Sequence, residues 1–316
     1  MTRASTSEKG PAARDQGRER PKKSRLRHAP WTPYLYLLPA AAFIVLAFIY
    51  PLVEIVRTSL QVPAVTGGTT FGFTNYKFML TDPAFWQAVM HNLILLLSVP
   101  IMTALALLFS LLLWEQMRGW KWYRAFIFTP YILAIPVVGI TFIYLYSADG
   151  IVNTALEASG LGFLTRDWLG DPKLVLPSIM SVIIYRELGF GTVLFLARMM
   201  SIPTDQLDAA KTEGANWFQV HRYVTIPQMR SVIEFFVVVE IITMFSWVFA
   251  YVYTMTKGGP GFSSIILEFY IWQNAFEFQA PGIASAVAVV LMVAISGLIF
   301  LQVRVRSDES GDDAEQ

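Results

Sequence analysis

With 316 residues and 35.6 kDa, 55% of them hydrophobic and only 15% charged, and a mean hydropathy of +0.50, the chain is too apolar for a water-soluble fold. Zero cysteines exclude a disulfide scaffold, a thiolate metal site, an iron-sulfur cluster and a cysteine nucleophile, and three histidines (His28, His91, His221) leave little for metals. The formal charge of +1 hides an asymmetry: the first thirty residues hold nine Lys and Arg against three acids, while the last ten hold five acids and no base.

A bilayer core about 30 Å thick needs roughly 20 apolar residues, and the sequence supplies that length six times. The stretches lie near 34–53, 89–113, 125–146, 174–199, 232–253 and 283–303. Each is apolar around its whole circumference, unlike the striped helices of a soluble bundle. The expected fold is an all-α integral membrane protein of six transmembrane helices. Residues 1–32 read as a disordered basic cytoplasmic tail that sets topology, and 307–316 as an acidic cytoplasmic tail. The apolar run of the first span exceeds a signal-peptide core and continues past Ala40-Ala41-Ala42, which predicts an uncleaved anchor.

Charge sets the orientation. The tail, 114–124, 198–231 and 304–306 together hold eighteen Lys and Arg, against four (Lys77, Arg166, Lys173, Lys257) on the opposite side. By the positive-inside rule both termini are cytoplasmic. The outer segment 147–173 predicts a short amphipathic helix over 151–158, stopped by Gly160, and a turn through 168–172.

No P-loop occurs, and Gly258-Gly259-Pro260-Gly261 lacks the lysine and helix that a phosphate cradle needs. Zinc-peptidase, serine-elbow and cysteine-histidine patterns are also missing, and nucleic-acid binding has no support beyond the basic tail. Catalysis and a cofactor held by this chain are therefore not expected.

The 201–227 segment is long and patterned. Ser201 is a candidate N-cap with Pro203 in the first helical turn, Asp205 and Asp208 suit the positive dipole end, and Gly214 suits a left-handed stop. A second short helix from about Asn216 is expected to end before Pro227. Ala209 and Ala210 give a face almost free of side-chain bulk, while Leu207 and Trp217 supply apolar area, the makings of a protein-docking surface.

Asp208-Ala209-Ala210, three residues, Gly214, nine residues and Val224-x-Ile226-Pro227 resemble the coupling motif of ABC-importer permeases, written Glu-Ala-Ala, three residues, Gly, nine residues, Ile-x-Leu-Pro. Further stretches resemble the carbohydrate-uptake branch, in its MalF-like or UgpA-like member: Asn75-Tyr76 with Asp82-Pro83-x-Phe85-Trp86, Gly150-x-x-Asn153, Trp168-Leu169-Gly170, Thr256-x-Gly258-Gly259-Pro260, Tyr270-Ile271-Trp272 and Ala275-Phe276. The resemblance covers roughly residues 33 to 303, and it implies a transmembrane domain over 33–306 with 201–227 as the coupling segment between the fourth and fifth spans. It implies a sugar-importer subunit in the cytoplasmic membrane of a bacterium or archaeon. A second permease, two ATPase subunits that bind ATP and Mg, and an extracytoplasmic sugar-binding protein would be its partners.

Ionisable groups at membrane depth are costly and commonly face a cavity or partner. Tyr185, Arg186, Glu240, Thr243, Trp247 and Tyr251 are the candidate substrate pathway, because sugars offer hydroxyls to carboxylates and C–H faces to rings. Glu240, Thr243, Ser246 or Trp247, and Tyr251 recur at helical spacing, although aromatic packing explains Trp247 and Tyr251 equally. Arg186 and Glu187 point about 100° apart on a helix, which predicts another partner for each. An ion-gradient-driven transporter using Arg186 and Glu240 is the alternative, but it gives a docking motif no purpose. A membrane-embedded enzyme would need a catalytic cluster that is not found.

Overall fold

The computed structural model describes residues 32–63, 68–115 and 119–312. All but the last residue of the expected basic tail, Arg118 of the charge count and the last four residues lie outside them. The chain divides into two units, 1–51 and 52–316.

In the first unit the helix Thr32–Ile44 runs into a π turn, Val45–Ile49, where Phe43 meets Phe48 edge-on at 6.4 Å. The side chains from Tyr36 to Tyr50 are exposed. An apolar surface all round is what a membrane-crossing helix needs.

Four helices are long and apolar enough to cross a membrane: Tyr36–Leu60, Pro83–Trp114, Val175–Met199 and Pro281–Phe300. Two bent pairs make up to six, Trp120–Ile132 with Ile135–Leu145 (104°) and Trp217–Met244 with Val248–Met255 (43°). The stretches expected as third and fifth spans are thus each a bent helix pair rather than one straight helix. In the third, Leu133 and Ala134 are extended and Pro136 stands in the first turn of the second half. Proline has no N–H to offer the carbonyl one turn back, so the helix restarts there. The freed Leu133 carbonyl instead accepts from Arg186 Nε at 3.3 Å. The last helix runs Pro281–Asp312, so six residues of the expected acidic tail continue it.

In the second unit Val175–Met199 packs against both Ser98–Trp114 and Trp120–Ile132. Two glycines permit this approach. A Cβ at Gly189 would lie 2.6 Å from the Ile127 carbonyl oxygen, and one at Gly191 would lie 2.7 Å from the Phe236 ring and 2.8 Å from Ala106 Cβ. Phe195 and Phe236 meet edge-on at 5.1 Å, both fully buried.

At the end of these helices remote from 201–227, side chains tie distant segments together. Asp82 accepts from Ala84 N as the cap of its helix and from the Tyr270 hydroxyl at 2.6 Å. Asn75 donates to the Ser59 and Gln61 carbonyls. His91 Nδ1 lies 2.7 Å from the Ile265 carbonyl oxygen, and Asn92 Oδ1 accepts from Leu267 N at 2.9 Å. In the 147–174 region the expected amphipathic helix forms as Ile151–Ala158. Asn153 there donates to the Ser147, Ala148 and Arg166 carbonyls and accepts from Trp168 Nε1 at 2.9 Å.

Candidate functional site

The 201–227 segment folds as an elbow between the helix Val175–Met199 and the helix that runs on to Met244. Its first helix is Thr204–Thr212, with Pro203 rather than Ser201 at the N-cap. Ser201 still belongs to the preceding span: its hydroxyl donates to the Ala197 carbonyl at 3.2 Å, one of the unpaired acceptors at that helix end. Asp205 sits in the first turn and Lys211 in the last, both favourable to the helix dipole.

The stop is glycine, as its position predicts. Gly214 has φ +88°, its N–H bonds the Lys211 carbonyl, and Ala215 N–H bonds the Ala210 carbonyl, both at 3.0 Å. Asn216 then caps Trp217–Val220 reciprocally with Gln219, each side chain accepting from the other's backbone N–H. The second helix does not end before Pro227. It widens into a π turn, His221–Thr225, and continues as Ile226–Met244 with Pro227 in the first turn. Pro227 thus lies ten residues into a helix continuous from Trp217 to Met244, and its missing N–H falls just after the π turn, where the regular bonding is already interrupted.

Asp208, Ala209 and Gly214 are exposed and Ala210 is half-buried, so the small-residue face is open. Leu207 departs from the expectation. It is buried and joins the apolar core, so it anchors the elbow rather than offering area to a partner. Trp217 is half-exposed and doubly engaged: Nε1 donates to Glu115 Oε1 at 2.9 Å and its ring meets His221 at 4.4 Å. Phe218 and Tyr223 are the more exposed rings of the elbow. Pro227 is exposed beside them.

The proposed pathway residues do not form one face. Trp247 is exposed while Glu240 and Tyr251 are buried, and Thr243 spends its hydroxyl on the Val239 carbonyl. The break at 245–247 resets the helical phase, which a straight-helix reading could not anticipate. Instead Glu240 and Tyr251 come within electrostatic range of Arg186 and Glu187 on the fourth span. Arg186 pairs with Glu187, its long side chain reaching round the helix, and it also has the further partner expected, the Leu133 carbonyl. Arg186 also lies 5.1 Å from the Tyr131 ring centroid. Glu240 Oε2 is buried with no hydrogen-bond partner. Tyr185 is exposed and meets Phe142 edge-on at 5.4 Å. Glu234, near the elbow, takes Arg230 at 2.8 Å one turn away.

Sequence reasoning missed Glu115, His221 and Glu268. His221 Nδ1 lies 3.0 Å from Thr225 Oγ1, and its i, i+4 spacing from Thr225 was a signal in the sequence. Glu268, outside the spans, takes Asn92 Nδ2 on Oε2 at 3.2 Å while Oε1 stays buried without a partner. Burial pushes its carboxyl up to about 7.

Comparison with known proteins decides the family. The family described as binding-protein-dependent transport system inner membrane component matches residues 64–307. The chain belongs to it. This permease is 32% identical to the sulfoquinovosyl glycerol transport system permease protein SmoG of Agrobacterium fabrum, over 81% of this chain and 84% of that protein. It is 30% identical to the lactose transport system permease protein LacF of Rhizobium radiobacter, over 85% and 92%. A chain of the bacterial alginate ABC transporter, solved in complex with alginate pentasaccharide-bound periplasmic protein, shares its fold. That match has a TM-score of 0.76 and 21% identity, covering 86% of this chain and 92% of that one.

Proposed function

We propose that this permease is the transmembrane subunit of an ATP-driven importer that carries a sugar or oligosaccharide across a bacterial or archaeal cytoplasmic membrane. Each bent helix pair counts as one span, giving six, and both termini are cytoplasmic. A second permease, two ATPase subunits holding ATP and Mg, and an external sugar-binding protein complete the machine. The observation that carries this reading is the elbow: an open Asp208-Ala209-Gly214 face on a helix closed by the left-handed Gly214 turn, at the end of the spans where the basic loops collect. Sugar as cargo is supported by the relatives named for lactose and sulfoquinovosyl glycerol.

The coupling residues are Leu207, as the buried anchor, with Asp208, Ala209, Ala210, Gly214, Trp217 and Pro227. In the spans, Arg186, Glu187, Glu240 and Tyr251 are one polar cluster beside the broken third span, and Tyr185, Thr243 and Trp247 flank it. Purifying the chain with its native neighbours tests the whole reading. A second permease and an ATPase should copurify with vanadate-sensitive hydrolysis; a chain that transports alone, with no ATPase, replaces the reading with gradient-driven transport. Glu240→Ala should lower sugar-stimulated ATPase activity with the complex intact, and unchanged substrate dependence would make Glu240 a packing residue.

A further inference from the structure

Most bonds of the elbow stay among its neighbours in sequence. Gln228 Nε2 donates to Gln206 Oε1 at 2.7 Å, and Arg198 Nη2 donates to the Gln228 carbonyl at 3.0 Å. These join the elbow to the fourth and fifth spans, to which it is already covalently attached. The contacts to Trp114 and Glu115 leave that neighbourhood. Trp217 Nε1 donates to Glu115 Oε1 across 102 positions, and His221 Nε2 lies 3.6 Å from the same oxygen. Glu115 is the C-cap of Ser98–Trp114, which belongs to the span Pro83–Trp114.

The rings around it form a clamp. His221 lies between Trp217 and Trp114, with centroids 4.4 and 5.9 Å away and both rings edge-on. Beneath it is a cavity of about 180 Å³ lined by Leu207, Lys211, Ala215 and Val220 together with the clamp residues. Apolar packing between elbow and helix is therefore incomplete there, and dispersion across a gap falls off steeply. A directional, charge-assisted bond is what fixes their separation.

We infer that Glu115 is a positioning residue for coupling: its carboxylate ties the elbow to the end of the span Pro83–Trp114, so that displacement of Trp217 reaches that span as well as the fourth and fifth. The inference rests on the reading of 201–227 as the coupling segment.

The chain has no cysteine, which permits clean labelling. Spin labels at Thr212→Cys and Leu108→Cys, both exposed, report the separation of the elbow from the Ser98–Trp114 helix. The measurement is made in the complete complex, with and without ATP and vanadate. In the parent this separation should not change with nucleotide. In Glu115→Ala and in Trp217→Phe, which keeps a ring but loses the N–H, a nucleotide-dependent shift of several Å should appear. Glu115→Gln retains an acceptor oxygen but loses the charge, so its shift should lie between those of the parent and Glu115→Ala. The double variant Glu115→Ala/Trp217→Phe should match either single, because both remove one bond. Parent-like distances in Trp217→Phe and Glu115→Ala overturn the inference, as does a double variant whose shift is the sum of the singles. Should Glu115→Ala fail to assemble, Trp217→Phe decides alone. If no ATPase copurifies with the parent, the coupling reading itself has failed; if one does and the distances stay fixed in the variants, only the role of Glu115 has.

Discussion

The two ends of the helices are built on opposite plans. At the remote end, buried side chains clamp segments far apart in sequence: Asn92 holds Leu267 and Glu268, His91 holds Ile265, and Asp82 holds Tyr270. Each such bond closes a loop of more than 170 residues. At the elbow, caps and turns act within a few residues, and the projecting face is small and open. The remote end resists change of shape because its polar groups have nowhere else to bond. The elbow keeps its own shape through local caps, and it meets the rest of the chain through Leu207 in the core and the Trp217–Glu115 bond.

The sharpest way to break this contrast is at Gly214. Gly214→Arg should abolish uptake while the chain still inserts and assembles, measured by transport and copurification together. Its left-handed φ costs an ordinary residue about 1–2 kcal/mol, whereas Asn tolerates it, so Gly214→Asn should keep roughly half or more of the uptake. Equal loss in both variants would mean that the backbone turn is not what matters there.

Asn92→Leu should produce the opposite pattern. Leaving Leu267 N–H and Glu268 without their partner costs about 1–3 kcal/mol, which lowers the melting temperature of the purified complex by roughly 3–10 °C. ATP hydrolysed per sugar moved should stay constant. An uncoupling effect without a loss of stability would erase the distinction between the ends.

The smallest effect is a pH dependence. The Glu268 carboxyl holds its proton in the folded chain up to about 7, above the ordinary carboxylate range. Between that ordinary range and about 7 the folded state binds the extra proton, so stability falls as pH rises through this window. Thermal melts of the parent should therefore drop from pH 5.5 to pH 8, and Glu268→Gln should flatten that part of the curve.

Much of this was legible in the residues because it depends on local chemistry. Gly214 could be read as a stop since few other residues accept its φ, and the Asn216 start was set by its capping partner Gln219. Leu207 was misplaced because periodicity tells which residues share a face, not which face meets the core. Ser201 lost the cap because the preceding helix still had an open carbonyl for it. The bend at Leu133 and Ala134 escaped a reading by apolar length, although Pro130 and Pro136 were in view: hydropathy measures how far a segment reaches, not whether it is straight. The Arg186–Glu187 pair depends on side-chain reach, which backbone angles alone do not show.

The π turn at His221–Thr225, closed by the Ile226 N–H on the His221 carbonyl, holds one residue more than an α turn would. Because the extra residue is taken up within the one wide turn, deleting it would let an ordinary α turn close and leave the residues on either side on nearly the same faces, whereas a deletion in a regular α stretch would turn everything beyond it by about 100°. This turn is thus a place where the chain could lose a residue while Asp208 and Ala209 keep facing the same way.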